Sequence, residues 1–429
     1  MIKIENLKFK YPDQKKFLLS DIHVELPENV ITEIAGISGS GKTTLQRIIN
    51  GIIPHIYNGF REGEVWVDGK DPGKSPIELI SRSVSTLIQN FELQLFKEYV
   101  NDEIDPFSPL AEMFGVDKLA GKKVRELSSG EKQRVLILKI LQKRTATILM
   151  DEPFSSLDND GRNTLREILK NLKKTIIIFS HEYNFVDSRK FVLHNGRLEI
   201  PVKEEWRKLG VRRTPYDFSL EKTQHNGVCP LISTKGVTFS YNGKDDVLKG
   251  IDLEIHPGEI VGISGANGSG KTTLARVIAG FLKHRNGHVY YQGREVKGSL
   301  AGSKIGLVFH DPYTQIFGLR VKDFVSFQNG LMEKFESLGL NIYPDSRILR
   351  LSRGELMKLA IATNTDYELI IYDEPANGLD YISLKKFAGF LGKLRESGKA
   401  ILIFSHDLEF LNRVSDKRFE IKGGKLIEL

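Results

Sequence analysis

Residues 30–49 read VITEIAGISGSGKTTLQRII, and residues 259–279 read EIVGISGANGSGKTTLARVIA. In both stretches an apolar, β-branched run leads into a glycine-rich loop, and a run with helical character follows the loop. A loop in this setting turns its backbone N–H groups towards phosphate oxygens at the positive end of the helix. A chance glycine-rich turn does not account for two matches at equivalent places, so we predict two phosphate-binding loops.

The rest of the chain repeats in the same order. The paired segments are RELSSGEKQ (125–133) with LRLSRGELM (349–357), TILMDEPFSSLD (147–158) with LIIYDEPANGLD (369–380), and IIIFSHEYNF (176–185) with ILIFSHDLEF (401–410). This repeat predicts two tandem copies of one domain, which we place at residues 1–200 and 231–429. Residues 201–230 are charged, contain proline and glycine and show no sustained period, which is typical of a linker.

Each copy alternates strand-like and helix-like stretches, which predicts an α/β fold with a mainly parallel sheet and crossover helices. Runs such as TIIIF (175–179) and AILIF (400–404) are apolar and β-branched, as central strands buried on both faces are. Alternating apolar residues at the start of each copy, with EGEVWVDGK (62–70) and NGHVYYQGR (286–294), predict a small antiparallel sheet beside that core.

The 429 residues carry 62 Lys and Arg against 55 Asp and Glu, a net charge of +7 with a pI near 9.1. Such an excess suits nucleic acid or an anionic membrane surface, but the basic residues are spread among nearly as many acids, so we favour a solvated, slightly basic surface. The apolar runs are too short to span a bilayer and the N-terminus has no signal peptide pattern, so we expect a cytoplasmic protein. Cys229 has no second cysteine to pair with.

The glycine-rich loops are predicted to bind the phosphates of a nucleotide. Lys42 and Lys271 would reach the β- and γ-phosphates, and the hydroxyls of Thr43 and Thr272 would hold Mg²⁺. The predicted loop residues are Gly36, Ile37, Ser38, Gly39, Ser40, Gly41, Lys42, Thr43 and Thr44, with Gly265, Ala266, Asn267, Gly268, Ser269, Gly270, Lys271, Thr272 and Thr273.

Two acids end an apolar strand in each copy, in ILMDEP and IIYDEP. We assign Asp151 and Asp373 to the metal ion, and Glu152 and Glu374 to the water that attacks the γ-phosphorus. Taken alone, such a segment is more often a turn. Its recurrence after a phosphate-binding loop in both copies favours the chemical role.

His181 and His406 each follow a buried strand and a serine. A neutral imidazole there can hydrogen-bond the γ-phosphate or the attacking water, which makes both histidines candidates for catalysis. The alternative is a purely structural histidine, and recurrence in both copies argues against it.

The segments LSSGE (127–131) and LSRGE (351–355) each lead into a helix, and a serine and a glycine at a helix N-terminus make a second anion-binding site. With this signature segment, both repeats resemble the ATP-binding cassette (ABC) ATPases. That resemblance implies two tandem ABC nucleotide-binding domains, each with a phosphate-loop parallel-sheet core, an antiparallel β subdomain and a helical subdomain. It also implies that the protein binds ATP and Mg²⁺ and hydrolyses ATP.

In that family two domains face each other head to tail, and each ATP lies between one phosphate-binding loop and the opposite signature. The resemblance assigns Lys42, Gln89, Asp151, Glu152 and His181 with Ser352 and Gly354 to site one, and Lys271, Asp373, Glu374 and His406 with Ser128 and Gly130 to site two. Gln89 would also contact the metal ion. Tyr11 and Tyr241 match the aromatic residue that stacks on adenine, with a buried strand tyrosine as the alternative.

The chain departs from the family pattern in three places. Gln89 is the switch glutamine of the first copy, but His310 occupies its place in the second, and an imidazole does not copy an amide carbonyl. Both signatures end in a glutamate, Glu131 or Glu355, where glutamine is usual. Arg353 replaces a glycine, which we expect to place bulk and charge near the nucleotide of site one. We expect slower hydrolysis at site two and tolerance of the other two changes.

A more specific resemblance lies in residues 50–71, in IQNFELQLF (88–96) and in HDPYTQIF (310–317). These segments are similar to the ATPases of energy-coupling factor (ECF) importers of vitamins and metals, including those with both ATPases in one chain. The resemblance implies a transmembrane coupling subunit, a membrane subunit that captures the substrate, and a peripheral place on the cytoplasmic face of the cell membrane. The aromatic and leucine residues of 91–96 and 313–317 would line the groove for the coupling subunit, with simple core residues as the alternative. Among them are Phe91, Leu93, Phe96, Tyr313 and Phe317.

Two other functions compete with this one. A soluble twin-ABC ATPase acting on ribosomes or nucleic acid suits the basic charge, but such factors usually carry a longer, highly charged helical linker, so we expect no nucleic-acid partner. A fused ATPase of a sugar importer is the third candidate. The sequence names no cargo, because substrate selection in ECF importers lies in another polypeptide.

Overall fold

The computed structural model describes residues 1–12, 14–88, 94–155, 157–202, 205–223, 228–296, 298–300, 302–325 and 330–429, and of Ser129 only the backbone. The chain divides into two compact units, Met1–Arg213 (unit 1) and Thr214–Leu429 (unit 2). This boundary falls inside the segment 201–230 that the sequence predicts as a linker. Within the described ranges, no helix combines the length and the apolar character that crossing a membrane requires.

Unit 1 is an α/β structure. Its strands are β1 (Ile2–Lys10), β2 (Leu19–Leu26), β3 (Ile31–Ala35), β4 (Phe60–Val67), β5 (Val84–Leu87), β6 (Thr147–Asp151), β7 (Thr175–Ser180), β8 (Arg189–His194) and β9 (Arg197–Glu199). Its α-helices are α1 (Lys42–Ile49), α2 (Ile52–His55), α3 (Ile77–Ser83), α4 (Val100–Glu103), α5 (Pro109–Met113), α6 (Ser129–Leu141) and α7 (Asn159–Asn171). Short 3₁₀ turns occupy Asp117–Leu119 and Val124–Glu126.

Two sheets organise unit 1. One has the order β5-β6-β7-β3-β8-β9, parallel except for β9, and the other is antiparallel with the order β2-β1-β4. The central strand β7 is buried along its whole length, with Ile176 and Ile178 in one core and Ile177 and Phe179 in another. Because alternate strand residues point to opposite faces, a continuous apolar run such as this one fills both cores.

Strand register brings the candidate segments of unit 1 to one edge of the sheet. Ala35 at the end of β3 pairs with Ser180 at the end of β7, and Asp151 at the end of β6 pairs with Phe179. The phosphate-binding loop follows β3, the acidic pair ends β6, and His181 follows β7. These segments therefore meet at the carboxyl edge of the sheet, where ligands bind in open α/β folds.

Unit 2 repeats this architecture. Its strands are β10 (Ile232–Phe239), β11 (Leu248–Ile255), β12 (Ile260–Ser264), β13 (Asn286–Tyr291), β14 (Arg294–Glu295), β15 (Ile305–Val308), β16 (Leu369–Asp373), β17 (Ala400–Phe404), β18 (Lys417–Lys422) and β19 (Lys425–Glu428). Its α-helices are α8 (Lys271–Ala279), α9 (Val321–Phe324), α10 (Leu331–Ser337), α11 (Arg353–Thr363), α12 (Tyr381–Glu396) and α13 (Leu408–Val414), with 3₁₀ turns at Pro312–Thr314 and Ile348–Arg350.

The sheets of unit 2 have the orders β15-β16-β17-β12-β18-β19 and β11-β10-β13-β14. Ile263 on β12 and Asp373 on β16 both pair with Phe404 at the end of β17, so the same three segments meet as in unit 1. The predicted α/β fold, with a parallel-sheet core, an antiparallel sheet and helices in each of two tandem domains, is confirmed.

Candidate functional site

The phosphate-binding loop of each unit enters its helix through a glycine in the left-handed region. Gly41 has a φ of 104° and Gly270 a φ of 108°, and α1 and α8 begin at the next residue. A Cβ at Gly41 would lie 2.7 Å from Cδ2 of Leu19, so space as well as φ excludes a side chain. The first N–H groups of both helices consequently lie at the loop, as phosphate binding requires.

Lys42 and Lys271 fold back onto their own loops. Lys42 Nζ donates to the carbonyl oxygen of Gly36 at 2.7 Å, and Lys271 Nζ donates to that of Gly265 at 2.6 Å. Both lysines are buried. Each ammonium group is therefore held inside the loop, where a phosphate oxygen can take over from the carbonyl as its acceptor.

Each predicted metal pair is joined by a hydrogen bond. Thr43 Oγ1 donates to Asp151 Oδ2 at 2.8 Å, and Thr272 Oγ1 donates to Asp373 Oδ2 at 2.7 Å. The other carboxylate oxygen of Asp373 is buried and has no hydrogen-bond partner among the described residues. Burial raises the pKa of Asp373 to about 6, against the opposing effect of the Thr272 hydrogen bond, and it also raises the pKa of Asp151. Hydroxyl and carboxylate oxygens are the ligands that Mg²⁺ prefers, so the residues present suit that ion.

Glu152 and Glu374 adopt a backbone conformation that glutamate rarely takes. Their φ values are 51° and 53°, in the left-handed region. Their N–H groups donate to the carbonyl oxygens of Phe179 (2.9 Å) and Phe404 (2.8 Å), which fixes the turn at the end of β6 and of β16. A non-glycine residue in this region costs about 1 to 3 kcal/mol, and such residues concentrate at functional sites. The turn directs each glutamate to the histidine of its own unit.

The two histidines make different contacts. In unit 1, His181 Nδ1 lies 2.8 Å from the carbonyl oxygen of Gly36, and its Nε2 lies 3.5 Å from Glu152 Oε1. Since a carbonyl only accepts, His181 carries its proton on Nδ1 in this arrangement. In unit 2, His406 Nδ1 lies 2.9 Å from Glu374 Oε2, and the His406 N–H donates to the same oxygen at 3.1 Å.

The two glutamates differ in protonation state. Burial raises the pKa of Glu152 to about 8, with Lys42 opposing and Asp151 reinforcing the shift, and its Oε1 has no hydrogen-bond partner in the described part of the chain. Burial acts on Glu374 in the same direction, but the charge and hydrogen bond of His406 together with Lys271 bring its pKa down to about 2. At neutral pH Glu152 is therefore mostly protonated and Glu374 ionised.

The switch position of unit 1 lies outside the described residues. Gln89, Phe91 and Leu93 belong to that part of the chain. Directly after it, Gln94 accepts a hydrogen bond from the N–H of Ile88 at 3.0 Å and donates to the carbonyl oxygen of Thr86 at 2.8 Å. We call residues 89–94 and 310–315 the switch segments of units 1 and 2. Gln94, the last residue of the first, is thus tied back to the end of β5.

Gln315 does the same in unit 2. It accepts from the N–H of Phe309 at 3.1 Å and donates to the carbonyl oxygen of Leu307 at 2.9 Å. Neither glutamine is among the residues predicted from the sequence. The signal was present, because aligning LIQNFELQLF with VFHDPYTQIF places Gln94 and Gln315 at the same position.

His310 stands at the switch position of unit 2. Burial and the nearby Arg353 guanidinium lower the pKa of His310 to about 3, so the imidazole is neutral at physiological pH. Arg353 is buried, and its Nη2 donates to the carbonyl oxygen of His310 at 3.3 Å. The Arg353 side chain therefore contacts His310, at the switch position of its own unit. The sequence, by contrast, predicts it near the nucleotide of site one.

The signature serines cap their helices. Ser128 and Ser352 precede α6 and α11, and each accepts a hydrogen bond from the N–H of the glutamate three residues later, at 3.3 Å. Glu131 and Glu355 in turn accept from the N–H of their serine, both at 2.8 Å. Glutamate is a usual residue at the third position of such a reciprocal capping box, which is consistent with the expected tolerance. The S-x-x-E spacing was the signal for them. Gly130 and Gly354 lie in the first turns of α6 and α11.

The predicted adenine residues occupy equivalent places. The Tyr11 hydroxyl lies 3.1 Å from Oγ1 of Thr44, and the Tyr241 hydroxyl lies 3.1 Å from Oγ1 of Thr273. Each threonine is the second one of its phosphate-binding loop. The Tyr241 side chain is exposed, whereas Tyr11 is partly buried beside the core of unit 1. Both rings therefore stand next to their loops.

The ABC transporter family model matches residues 19–155 and 248–377, which include the phosphate-binding loop, the signature segment and the acidic pair of each unit. The chain belongs to the ABC transporter family. It is thus an ABC ATPase that binds ATP. A putative ABC transporter ATP-binding protein of Treponema denticola is 28% identical to this ABC ATPase over 100% of the chain and 96% of its own length.

Two solved structures are similar to this ABC ATPase. The first is a chain in a model of ribosome-bound archaeal Pelota and ABCE1. It has a TM-score of 0.67 and 18% sequence identity, and the match covers 98% of this chain and 78% of that chain. That likeness concerns the fold of two cassettes. A structure of cbiO1 from Clostridium perfringens, part of the ABC transporter complex cbiONQ, is 27% identical with a TM-score of 0.42, over 46% of this chain and 87% of that one.

ATP turnover at site one of this ABC ATPase should rise with pH through about 8. Because Glu152 has a raised pKa, its carboxylate gains population as the pH increases, by roughly tenfold per pH unit below the pKa. Glu374 has a pKa near 2 and stays ionised. We expect steady-state turnover of Glu374→Gln to climb with pH and that of Glu152→Gln to stay flat.

Above that pH, Glu152→Gln should cost more activity than Glu374→Gln, because His310 replaces the glutamine of site two. Measuring both single variants across the pH range tests the two statements together. A flat profile for Glu374→Gln would refute the first. A larger loss from Glu374→Gln at high pH would refute the second.

Replacing His310 by glutamine should speed hydrolysis at site two severalfold. An amide carbonyl can accept from water and contact a metal ion, which the neutral imidazole does less well. The test compares kcat of Glu152→Gln with that of the His310→Gln/Glu152→Gln double variant. His288→Gln, at an exposed histidine, is the matched control. A double variant no faster than Glu152→Gln would show that His310 does not limit site two.

Proposed function

We propose that this ABC ATPase energises an ECF-type importer of a vitamin or a metal. It would act from the cytoplasmic face of the cell membrane, through a transmembrane coupling subunit and a membrane subunit that captures the substrate. The resemblance of residues 50–71, 88–96 and 310–317 to ECF ATPases supports this assignment. The relatives described as ABC transporter ATP-binding proteins support a transport role in general terms.

In this proposal each unit supplies the same chemical roles. Lys42 and Lys271 bind the β- and γ-phosphates. The N–H groups of the loops orient these phosphates. Thr43, Gln89 and Asp151, with Thr272 and Asp373, would hold Mg²⁺, which when bound neutralises charge on the phosphates. Glu152 and Glu374 orient the attacking water, and His181 and His406 would hydrogen-bond the γ-phosphate or that water. Signature residues Ser128, Gly130, Ser352 and Gly354 would contact nucleotide phosphate at helix N-termini.

The observation that carries the proposal is a pair of exposed phenylalanines directly after the switch segments. Phe96 is 77% exposed in unit 1, and Phe317 is 68% exposed in unit 2. The Phe96 ring lies 5.2 Å from Lys139 Nζ, and Glu103 accepts hydrogen bonds from the N–H groups of Phe96 and Lys97. An exposed aromatic ring held in place in this way is suited to receive an apolar side chain of a partner helix.

A groove beside Phe96 adds to this surface. It has a volume of about 280 Å³ and is lined by Leu95, Lys97, Glu98, Val124, Arg125 and Lys132. The lining combines apolar and mainly basic side chains, so it suits a helix with an apolar face and an acidic residue. Tyr313, by contrast, packs against the core of unit 2, as the simple-core alternative expects.

Fractionation of a cell lysate tests the proposal. The chain should sediment with membranes and leave them when alkaline or high-salt washing strips peripheral proteins. Sedimentation with ribosomes, and none with membranes, would favour the soluble twin-ABC factor that the net charge of +7 suits. A freely soluble protein in both tests would refute both assignments.

A further inference from the structure

The segment that connects the two units packs against each of them on either side of residues 213–215, which are exposed. Val211 is fully buried and Tyr216 is 4% exposed, although both lie within the predicted linker. A linker that only spans two domains is polar and flexible. The packing therefore calls for a more specific role for residues 206–216.

In unit 1 this segment lies against the loop that carries His181. The N–H of Arg212 donates to the carbonyl oxygen of His181 at 2.7 Å. The Trp206 ring contacts Tyr183 edge-on at 4.8 Å between ring centres. Val211 packs with Ala35, the last residue of β3 before the phosphate-binding loop. The backbone of His181 is thus fixed by the connecting segment.

Gly210 brings the same segment against the phosphate-binding loop. Its φ is 81°, and a Cβ at this position would lie 2.2 Å from Cγ2 of Ile37. Ile37 follows Gly36, whose carbonyl oxygen contacts both Lys42 and His181. A side chain at Gly210 would therefore displace either the loop or the segment.

In unit 2 the segment reaches the corresponding loop. The Tyr216 hydroxyl donates to Asp407 Oδ2 at 2.8 Å, and Asp407 directly follows His406. The other oxygen of Asp407 caps α13 by accepting from the N–H of Phe410 at 2.9 Å. The Tyr216 ring stacks on Phe218 at 5.2 Å, which holds the tyrosine in place. Between Arg212 and Tyr216 the chain has only the residues Arg213–Pro215.

We propose that residues 206–216 form a positioning segment for His181 and His406. Arg212 holds the backbone of His181 in unit 1, and Tyr216 holds Asp407, and through it His406, in unit 2. This inference rests on the proposed role of the histidines in ATP hydrolysis. It assigns to the connecting segment a part in the reaction that neither the sequence motifs nor the family comparison assigns.

Tyr216→Phe tests the contact in unit 2, because it removes the hydroxyl and keeps the ring. Because site two is the slower site, this variant, its control and the cycle below are all measured in the Glu152→Gln background, where only site two turns over. There we expect kcat for ATP to fall by about fivefold with KM unchanged, as when a hydrogen bond to a charged group is lost. Tyr343→Phe, at an exposed tyrosine of the same unit, is the matched control and should keep wild-type kcat. A purely structural role would lower the unfolding temperature and leave kcat at the working temperature unchanged.

A double-variant cycle shows whether Tyr216 acts through the histidine. If it does, Tyr216→Phe has no further effect on kcat in the His406→Ala background. The same loss in both backgrounds, or no loss in either, overturns the positioning proposal. If His406→Ala itself keeps wild-type kcat, the proposed role of the histidine fails instead.

Gly210→Ala tests the contact in unit 1. Its control is Gly69→Ala, since Gly69 has a φ of 76° in the same unit and a Cβ there would have no atom within 4 Å among the described residues. Both variants carry the same backbone strain, so we expect only Gly210→Ala to lower kcat. Equal kcat values for the two variants would overturn the proposal for unit 1. If Gly210→Ala does not fold, Arg212→Pro removes the N–H that donates to the His181 carbonyl oxygen. We then expect Arg212→Pro to lower kcat, and an unchanged kcat would overturn the proposal for unit 1.

Discussion

Replacing both Glu152 and Glu374 by glutamine should nearly abolish ATP turnover while ATP binding persists. Each glutamate directly follows a buried strand and turns its carboxylate towards the histidine of its unit, at 3.5 Å in unit 1 and 2.9 Å in unit 2. A glutamine keeps the size of the side chain but accepts a proton poorly, so the attacking water loses its orienting base. We expect kcat to fall by at least about 100-fold, the scale on which removal of one positioned group acts.

The measurement is single-turnover hydrolysis beside equilibrium binding of ATP. Unchanged nucleotide affinity shows that the phosphate-binding loops are intact in the double variant. Glu131→Gln/Glu355→Gln is a matched control, because those glutamates cap helices and glutamine can replace them in a capping box. Substantial hydrolysis by Glu152→Gln/Glu374→Gln would defeat the assignment of the two glutamates.

Replacing Phe96 and Phe317 by serine should release the protein from membranes and stop uptake. Both rings are mostly exposed and directly follow the switch segments, so they are placed to respond when ATP is bound. Losing two aromatic anchors typically costs an interface several kcal/mol, which corresponds to an affinity loss of about 100-fold or more. Phe91, Leu93 and Tyr313 were predicted to share this role. Tyr313 packs against the core of unit 2 and is left unchanged, and adding the replacement of Phe91 and Leu93 should deepen the loss.

Copurification with an integral membrane subunit measures the release, and ATP affinity serves as the folding control. The matched control is Ile200→Ser, since Ile200 is 80% exposed at a position remote in sequence from either switch segment. A Phe96→Ser/Phe317→Ser variant that still copurifies and supports uptake would place the docking surface elsewhere.

Much of the candidate site can be predicted from the sequence, because each of its parts is a short contiguous segment. The phosphate-binding loops, the acidic pairs and the serine–histidine ends of β7 and β17 are each a short segment, and strand order alone brings them to one edge. The repeat supplies an independent check at each position. The predicted α/β architecture follows from the same patterns, since buried parallel strands are continuous apolar runs.

Other features depend on contacts that no local pattern encodes. Glu152 and Glu374 adopt a left-handed backbone conformation. Glutamate seldom adopts it, so the sequence does not predict it. The different pKa values of the two glutamates arise from which way His181 and His406 turn. The packing of Gly210 against Ile37 joins residues far apart in the chain. These are tertiary effects.

Uptake by intact cells shows whether this ATPase drives import. Labelled vitamins and divalent transition metals are supplied to cells carrying the wild-type chain or Glu152→Gln/Glu374→Gln at normal abundance. We predict that accumulation of one vitamin or one metal falls to the background level in the double variant, while that of the others is unchanged. Undiminished accumulation of every compound, in cells whose purified variant no longer hydrolyses ATP, would contradict the claim that this ATPase drives import.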